Sequence, residues 1–253
     1  SISMLAPARA RLAGEQGPLP TRIEVVLASV DNLFRALTDD KKGFVCFARN
    51  VFASKTASTD YDRVIKPQLQ KIDWRYIATI GSGTNFAAAI EGCYNLFDFN
   101  PRRRNVCIIL SDGEPNGNQK SLDEALAVSV DQTQAKIKNR HIQAIFYLVG
   151  VGDTAHKTPI PKFDAAGNFA GYLTNKDGTV VKTQPNETYL RDIARSMQGT
   201  FVHIDTPEDL TETLREIINN ERKLIEYRDS LVLKDASWKY IVAVLLCLAL
   251  WFF

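Results

Sequence analysis

A chain of 253 residues, 45% hydrophobic and 24% charged, can bury a full core as one large domain with an appendage. A formal net charge of +2 argues against a disordered chain and against a strongly nucleic-acid-binding one. The one basic run, Arg102-Arg103-Arg104, is short and lacks interleaved aromatics, so it reads as a solvated loop. Cys46, Cys93, Cys107 and Cys247 show neither C-x-x-C nor zinc-like spacing and read as free, buried thiols.

In chain order, Ser1-Ile2-Ser3-Met4 leads into a loop rich in Ala, Arg, Gly and Pro that runs to Pro20. TRIEVVLASVDNLFRAL then predicts a helix. Thr21 and Glu24 form a T-x-x-E capping box, and Ile23, Val26, Leu27, Val30, Phe34 and Leu37 recur at helical spacing. The apolar run from Phe44 to Phe52 predicts one buried strand, and the polar stretch after it an edge strand. RVIKPQLQKI predicts a helix interrupted near Pro67. GSGTNFAAAIEGCYNLF predicts a glycine turn and a helix, and NVCIIL a buried strand that breaks at Ser111-Asp112-Gly113. A long helix over 122–139 and a second buried strand, IQAIFYLVGVG, follow.

The segment from Asp153 to Pro185 has two turn clusters between short β-prone runs, which predicts a hairpin insertion with a turn near Asp177-Gly178. Beyond it, NETYLRDIARSMQG predicts a helix with a Gly stop and TFVHID a strand. TPEDLTETLREIINN predicts a helix with Thr206 as N-cap and Pro207 at its first position. Apolar strands alternating with amphipathic helices indicate an α/β fold, a doubly wound, mainly parallel sheet flanked by helices.

From Ile241 the chain reads IVAVLLCLALWFF, preceded by Trp238-Lys239-Tyr240. Thirteen uninterrupted apolar residues fall short of the roughly 20 that a span needs. However, Trp238 and Tyr240 suit an interfacial belt and Lys239 can snorkel, so the expectation is a membrane helix cut short; a buried terminal core helix is the alternative.

In a sheet of this kind ligands bind in the crevice beyond the carboxyl ends of the strands. Three polar loops belong there: SISM, GSGTNF (Gly81 to Phe86) and SDGEPNG (Ser111 to Gly117). Each has a local explanation. Thr84 can cap the next helix, Asp112-Gly113 can form an Asx turn, and Ser1 and Ser3 can be loop polar residues. Brought together, Ser and Thr hydroxyls with one or two carboxylates make an all-oxygen site for a hard divalent cation such as Mg²⁺. Few direct carboxylates leave such an ion electron-poor, which suits docking a partner's Asp or Glu better than cleaving a substrate. No enzyme is expected. No D-x-D nucleophile motif is present, and His141, His156 and His203 are scattered. There is no H-E-x-x-H or nucleophile elbow, and GSGTNF is neither a P-loop nor a good dinucleotide fingerprint.

The three loops resemble the metal-ion-dependent adhesion site of the von Willebrand factor type A (VWA) domain, whose first loop reads D-x-S-x-S. In this chain Ser1 and Ser3 match the two serines, Thr84 the family's Thr, and Asp112 in ILSDGEPNG its strand-ending Asp. The first Asp would lie two positions before Ser1 and is absent, so the resemblance implies a domain lacking its first strand. Its partial metal site would consist of Ser1, Ser3, Thr84 and Asp112, for Mg²⁺ or else Mn²⁺ or Ca²⁺. It further implies a VWA domain over 1–220 with a hairpin insertion over 153–185, a juxtamembrane segment over 221–237 and the membrane helix over 238–253.

Insertion and tail together are similar to bacterial Bat-type aerotolerance proteins found near MoxR-type ATPases, and to a related family that accompanies methanol dehydrogenase maturation. That likeness implies a bacterial inner-membrane protein with its VWA domain in the periplasm. It would act in assembly, maturation or stress tolerance of other proteins. Its protein partner would supply an Asp or Glu carboxylate; other Bat-type VWA proteins and a MoxR-type ATPase system are candidates. A metal-independent structural VWA scaffold and a haloacid-dehalogenase-like phosphatase are the alternatives.

Overall fold

The computed structural model describes residues 2–8, 20–73, 76, 83–114, 119–164, 169–206 and 209–225. Ser1, Gly81, Ser82 and the whole apolar tail expected to span a membrane lie outside these residues. Among the described residues no helix is long and apolar enough to cross a membrane.

A short 3-10 turn, Ile2–Leu5, leads to α1, Arg22–Ala36. The capping box forms as its spacing predicts: Thr21 Oγ1 accepts from the Glu24 amide at 3.3 Å, and Glu24 Oε2 accepts from the Thr21 amide at 2.7 Å. The helix has two working faces. Ile23, Leu27 and Val30 pack with Leu69, Ile72, Phe44, Cys46 and Phe52. A second, more deeply buried stripe runs Arg22, Val25, Val26, Ser29, Leu33. A charged residue therefore heads the buried face.

The run from Phe44 to Phe52 is two short strands rather than one. β1, Val45–Phe47, and β2, Val51–Ala53, pair antiparallel with Cys46 opposite Phe52. The chain reverses at Ala48, Arg49 and Asn50, where the Ala48 amide donates to the Asn50 carbonyl at 2.9 Å. Two exposed polar residues in an apolar run supply that turn. The polar stretch after β2 contributes one isolated bridge, Lys42 with Ser58. Next, a π-helical turn over Tyr61–Ile65 runs into α2, Lys66–Leu69. The expected interruption near Pro67 is a change from π to α winding without a break, because a residue with no amide to donate is tolerated in the first turn of α2.

From Phe86 the chain builds a parallel βαβ array, interrupted by an insertion between Val151 and Glu187. It comprises α3 (Phe86–Asn95), β3 (Arg104–Ser111), α4 (Gln119–Asn139), β4 (Gln143–Val151), α5 (Glu187–Ser196) and β9 (Thr200–Ile204). The three long strands form a parallel sheet in the order β3-β4-β9, with Ser111 beside Gly150 and Val151 beside Ile204. Helices α3, α4 and α5 pack their apolar stripes onto this sheet. Phe86, Ile90, Leu126, Val130, Leu190 and Ile193 meet Cys107, Ile109, Phe146 and Leu148 in one core. Parallel strands end together, so the residues after Ser111, Val151 and Ile204 share one end of the sheet.

Between β4 and α5, in place of the one expected hairpin, the chain forms two short strand pairs. β5 (Thr158–Pro159) pairs with β8 (Lys182–Thr183), and β6 (Pro161–Phe163) with β7 (Phe169–Tyr172), all antiparallel. The predicted turn closes with the Gly178 amide on the Asn175 carbonyl at 3.0 Å. After β9, Thr206 caps the helical stretch 209–225, its hydroxyl accepting from the Asp209 amide at 3.3 Å. Two units divide the chain after Thr211. Within the first, the Thr211 hydroxyl donates to that of the fully buried Ser29 at 3.0 Å, across 182 residues.

Candidate divalent-cation site at the sheet's carboxyl end

Strand β3 delivers Asp112 to the carboxyl end of the sheet, where its side chain is fully buried. The backbone is pinned on both sides. The Asp112 carbonyl accepts from the Asn186 amide at 2.8 Å, at the N-cap of α5, and the Gly113 amide donates to Ser111 Oγ at 3.0 Å. Gly113 has φ +66°, and a Cβ there would stand 2.5 Å from Leu190 Cγ and 2.8 Å from the Asn186 carbonyl oxygen. Only glycine fits that turn. Asp112 Oδ1 accepts from the Glu114 amide at 3.4 Å, so the local Asx bond is present but long.

Thr84 reaches the same loop from the second one. It does not cap α3; Asn85 does, its side chain accepting from the Ala88 amide at 3.0 Å. The buried Thr84 hydroxyl instead crosses to the third loop and donates to the Glu114 carbonyl at 3.0 Å. Thr84 and Asp112 are thus brought together through one residue, Glu114. The Glu114 carboxylate is itself held by the buried Thr183 hydroxyl at 2.6 Å, from the base of the insertion.

Of the first loop, Ser3 lies in the 3-10 turn Ile2–Leu5 and Ser1 lies outside the described residues. That loop is tied to the site indirectly. The Ala6 carbonyl accepts from the Arg22 amide at 2.9 Å, and the Ala8 amide donates to the Pro20 carbonyl at 2.8 Å.

Arg22 is the residue that sequence reasoning missed. It is 1% exposed, and its Nη1 stands 3.5 Å from Asp112 Oδ2, close enough for an ion pair and too far for a good hydrogen bond. None of Nε, Nη1 or Nη2 makes a hydrogen bond, and neither does Asp112 Oδ2. The guanidinium lies under Gly152, whose φ is +124°; a Cβ there would come within 2.8 Å of Arg22 Nε. Burial lowers the Arg22 pKa from its usual value, opposed by the negative charges of Asp112, Glu114 and Asp153. Arginine stays protonated in proteins, so the pair is a buried cation beside a buried anion. One signal was available: position 22 falls three and seven residues before Val25 and Ser29, on the buried face of α1.

Beside the site an open groove is lined by Glu114, Thr154, Gln184, Pro185, Asn186 and Glu187, among others. At the same end of the sheet, His203 stands between two carboxylates. Its Nε2 is 3.0 Å from Asp205 Oδ1, and its Nδ1 is 3.4 Å from Glu187 Oε1.

The donors present fit a hard divalent ion in kind, being oxygen only: the Asp112 carboxylate and the Thr84 hydroxyl. Asp112 Oδ2 is the fitting test, a buried carboxylate oxygen with no hydrogen bond of its own. Among the described residues no three His, Cys, Asp or Glu side chains gather as a metal-ligand group. The positive charge facing Oδ2 is Arg22.

No family model matches the chain, and no curated protein matches it. Solved structures do. The conserved hypothetical protein BatB from Bacteroides thetaiotaomicron superposes with a TM-score of 0.66 at 23% identity, over 88% of this chain and 95% of that one. An aerotolerance-related membrane protein from Bacteroides fragilis gives 0.65 at 22% identity, over 87% of this chain and 94% of that one. The chain has the fold of these Bat-type proteins.

Proposed function

We propose that this chain is a membrane-anchored protein-interaction module of the VWA type, docking a partner's Asp or Glu carboxylate through a divalent ion at Asp112 and Thr84. What carries the reading is the path of Thr84. Its hydroxyl leaves the helix cap to Asn85 and turns to the Asp112 loop, where a buried carboxylate oxygen makes no hydrogen bond. Thr84 and Asp112 hold the ion, with Ser1 and Ser3 completing the protein's share of ligands. When bound, Mg²⁺ supplies an electrophilic position open to an outside carboxylate. The chain's own part is to fix two oxygen ligands on rigid elements: Thr84 just before α3, and Asp112 at the end of β3 under the N-cap of α5.

The apolar tail anchors the module in a bacterial inner membrane, in keeping with the membrane protein among its structural neighbours. The module faces the periplasm and works in assembly, maturation or stress tolerance of other proteins. Other Bat-type proteins or a MoxR-type ATPase system are the candidate partners, and no chemical step is assigned to the chain. The Arg22–Asp112 pair favours one other reading, a metal-independent scaffold in which arginine permanently neutralises the carboxylate.

The test is partner capture from detergent-solubilised membranes with Mg²⁺ or Mn²⁺ present, against EDTA. The expected result is capture that EDTA abolishes and that Thr84→Ala and Asp112→Ala lose. Capture undiminished by EDTA and by both substitutions refutes the metal reading and leaves the scaffold.

A further inference from the structure

We propose that Arg22 is a tethered counter-ion at Asp112, which a divalent cation must displace in order to bind, so that cation binding releases the first turn of α1 from the site. The inference rests on the divalent-ion reading of Asp112 and deepens it. A divalent ion on Oδ2 would sit about 2.1 Å from that oxygen, and Arg22 Nη1 is 3.5 Å from the same atom. The two cations would therefore lie within roughly 6 Å of each other in a site closed to water, where their repulsion is poorly screened. Arg22 in its observed pose and an ion on Oδ2 compete for the same carboxylate charge.

The pair is also built to separate. A buried ion pair is stable when hydrogen bonds satisfy the donors and lone pairs around it. Here three guanidinium nitrogens and one carboxylate oxygen have none. The attraction is charge alone, which a divalent ion answers better than a guanidinium. The displaced side chain has negative charge to move toward, since the carboxylates of Glu114 and Asp153 already act on it. Glycine at position 152, where a Cβ would stand 2.8 Å from Nε, leaves room beside the guanidinium.

Displacement reaches the first loop through the backbone. Arg22 begins α1 beside its capping residue Thr21, and its amide bonds the Ala6 carbonyl just past the 3-10 turn that holds Ser3. Opening the Arg22–Asp112 pair removes one of the two ties on this residue and leaves its amide bond as the link to the segment that carries a candidate ligand. The site has two states: closed on its own arginine, or opened by an ion and able to take an outside carboxylate.

The experiment uses the whole chain in detergent, with Mn²⁺ itself as the probe. Free Mn²⁺ is read by electron paramagnetic resonance, and amide hydrogen exchange over residues 20–27 is read by mass spectrometry. The expected result is that Arg22→Gln binds Mn²⁺ at least ~10-fold more tightly than the parent chain. Arg22→Lys, which keeps the charge, stays near the parent, and adding Asp112→Asn removes the gain. In the parent chain, saturating Mn²⁺ speeds exchange over residues 20–27. Equal or weaker Mn²⁺ binding by folded Arg22→Gln overturns the counter-ion role while leaving the metal reading standing. No Mn²⁺ binding by either chain at millimolar ion overturns the metal reading and this inference with it. If circular dichroism finds Arg22→Gln unfolded, exchange in the parent chain decides. Faster exchange with Mn²⁺ supports the inference, and unchanged exchange overturns it.

Discussion

Replacing Gly113 with Ala tests whether the turn under Asp112 is as tightly built as it looks. Two costs add. At φ +66° an L-residue is strained by about 1 kcal/mol. The new methyl would also stand 2.5 Å from Leu190 Cγ, a fully buried side chain, and 2.8 Å from the Asn186 carbonyl oxygen, so core and helix cap must both give way. Overpacking of that kind costs about 1–3 kcal/mol, for a total of about 2–4 kcal/mol. In a chain of this size that lowers the melting temperature by about 5–15 °C. The control is internal. Gly178 has φ +82° with nothing within 4 Å of an added Cβ, so Gly178→Ala carries the strain without the collision. Denaturant titration of both variants in the same detergent separates the two contributions. If Gly113→Ala costs no more than Gly178→Ala, then Leu190 and Asn186 do not close over this turn as described.

Two other outcomes follow from neighbouring elements. Asn85→Ala should destabilise α3 by about 1 kcal/mol in denaturant titration through loss of its cap, whereas Thr84→Ser should keep both the cap and the bond to Glu114 and stay within about 0.5 kcal/mol of the parent. At the opposite end of the sheet, the bond from Lys41 at 2.9 Å, with the Asn100 amide assisting, holds the Asp98 carboxyl below its usual value. A lowered folded pKa gives stability that is complete above the unfolded value of about 4 and is lost as pH falls through the folded one. The advantage of the parent chain over Asp98→Asn should therefore be constant from neutral pH to about 4 and shrink below it; an advantage that persists at lower pH contradicts the ion pair.

What the sequence revealed divides by the range of the interactions. The capping box of α1, the Thr206 cap and the turn at Gly178 involve partners three residues apart or fewer, and each formed where the letters placed it. The buried strands β3 and β4 were equally legible, because a parallel strand covered by helices is apolar throughout. The β1–β2 hairpin was not. Its turn at Arg49-Asn50 interrupts an apolar run too briefly to break the pattern, and only pairing of Cys46 with Phe52 reveals it. The site splits in the same way. Asp112 and Thr84 stood out through their loops, whereas the bond from Thr84 to Glu114 spans 30 residues and that from Thr183 to Glu114 spans 69. Arg22 was hidden most thoroughly, since a charged residue opening an amphipathic helix reads as solvated until the sheet behind it is in place.

The hydroxyl contact between Ser29 and Thr211 has a bearing on synthesis. Ser29 is fully buried on the first helix, and its partner is translated 182 residues later. At about 5–20 residues per second, that is a wait of roughly 10–40 s. For that interval the Ser29 hydroxyl lacks its native partner. The nascent chain must therefore make the whole sheet before this pair of hydroxyls can close.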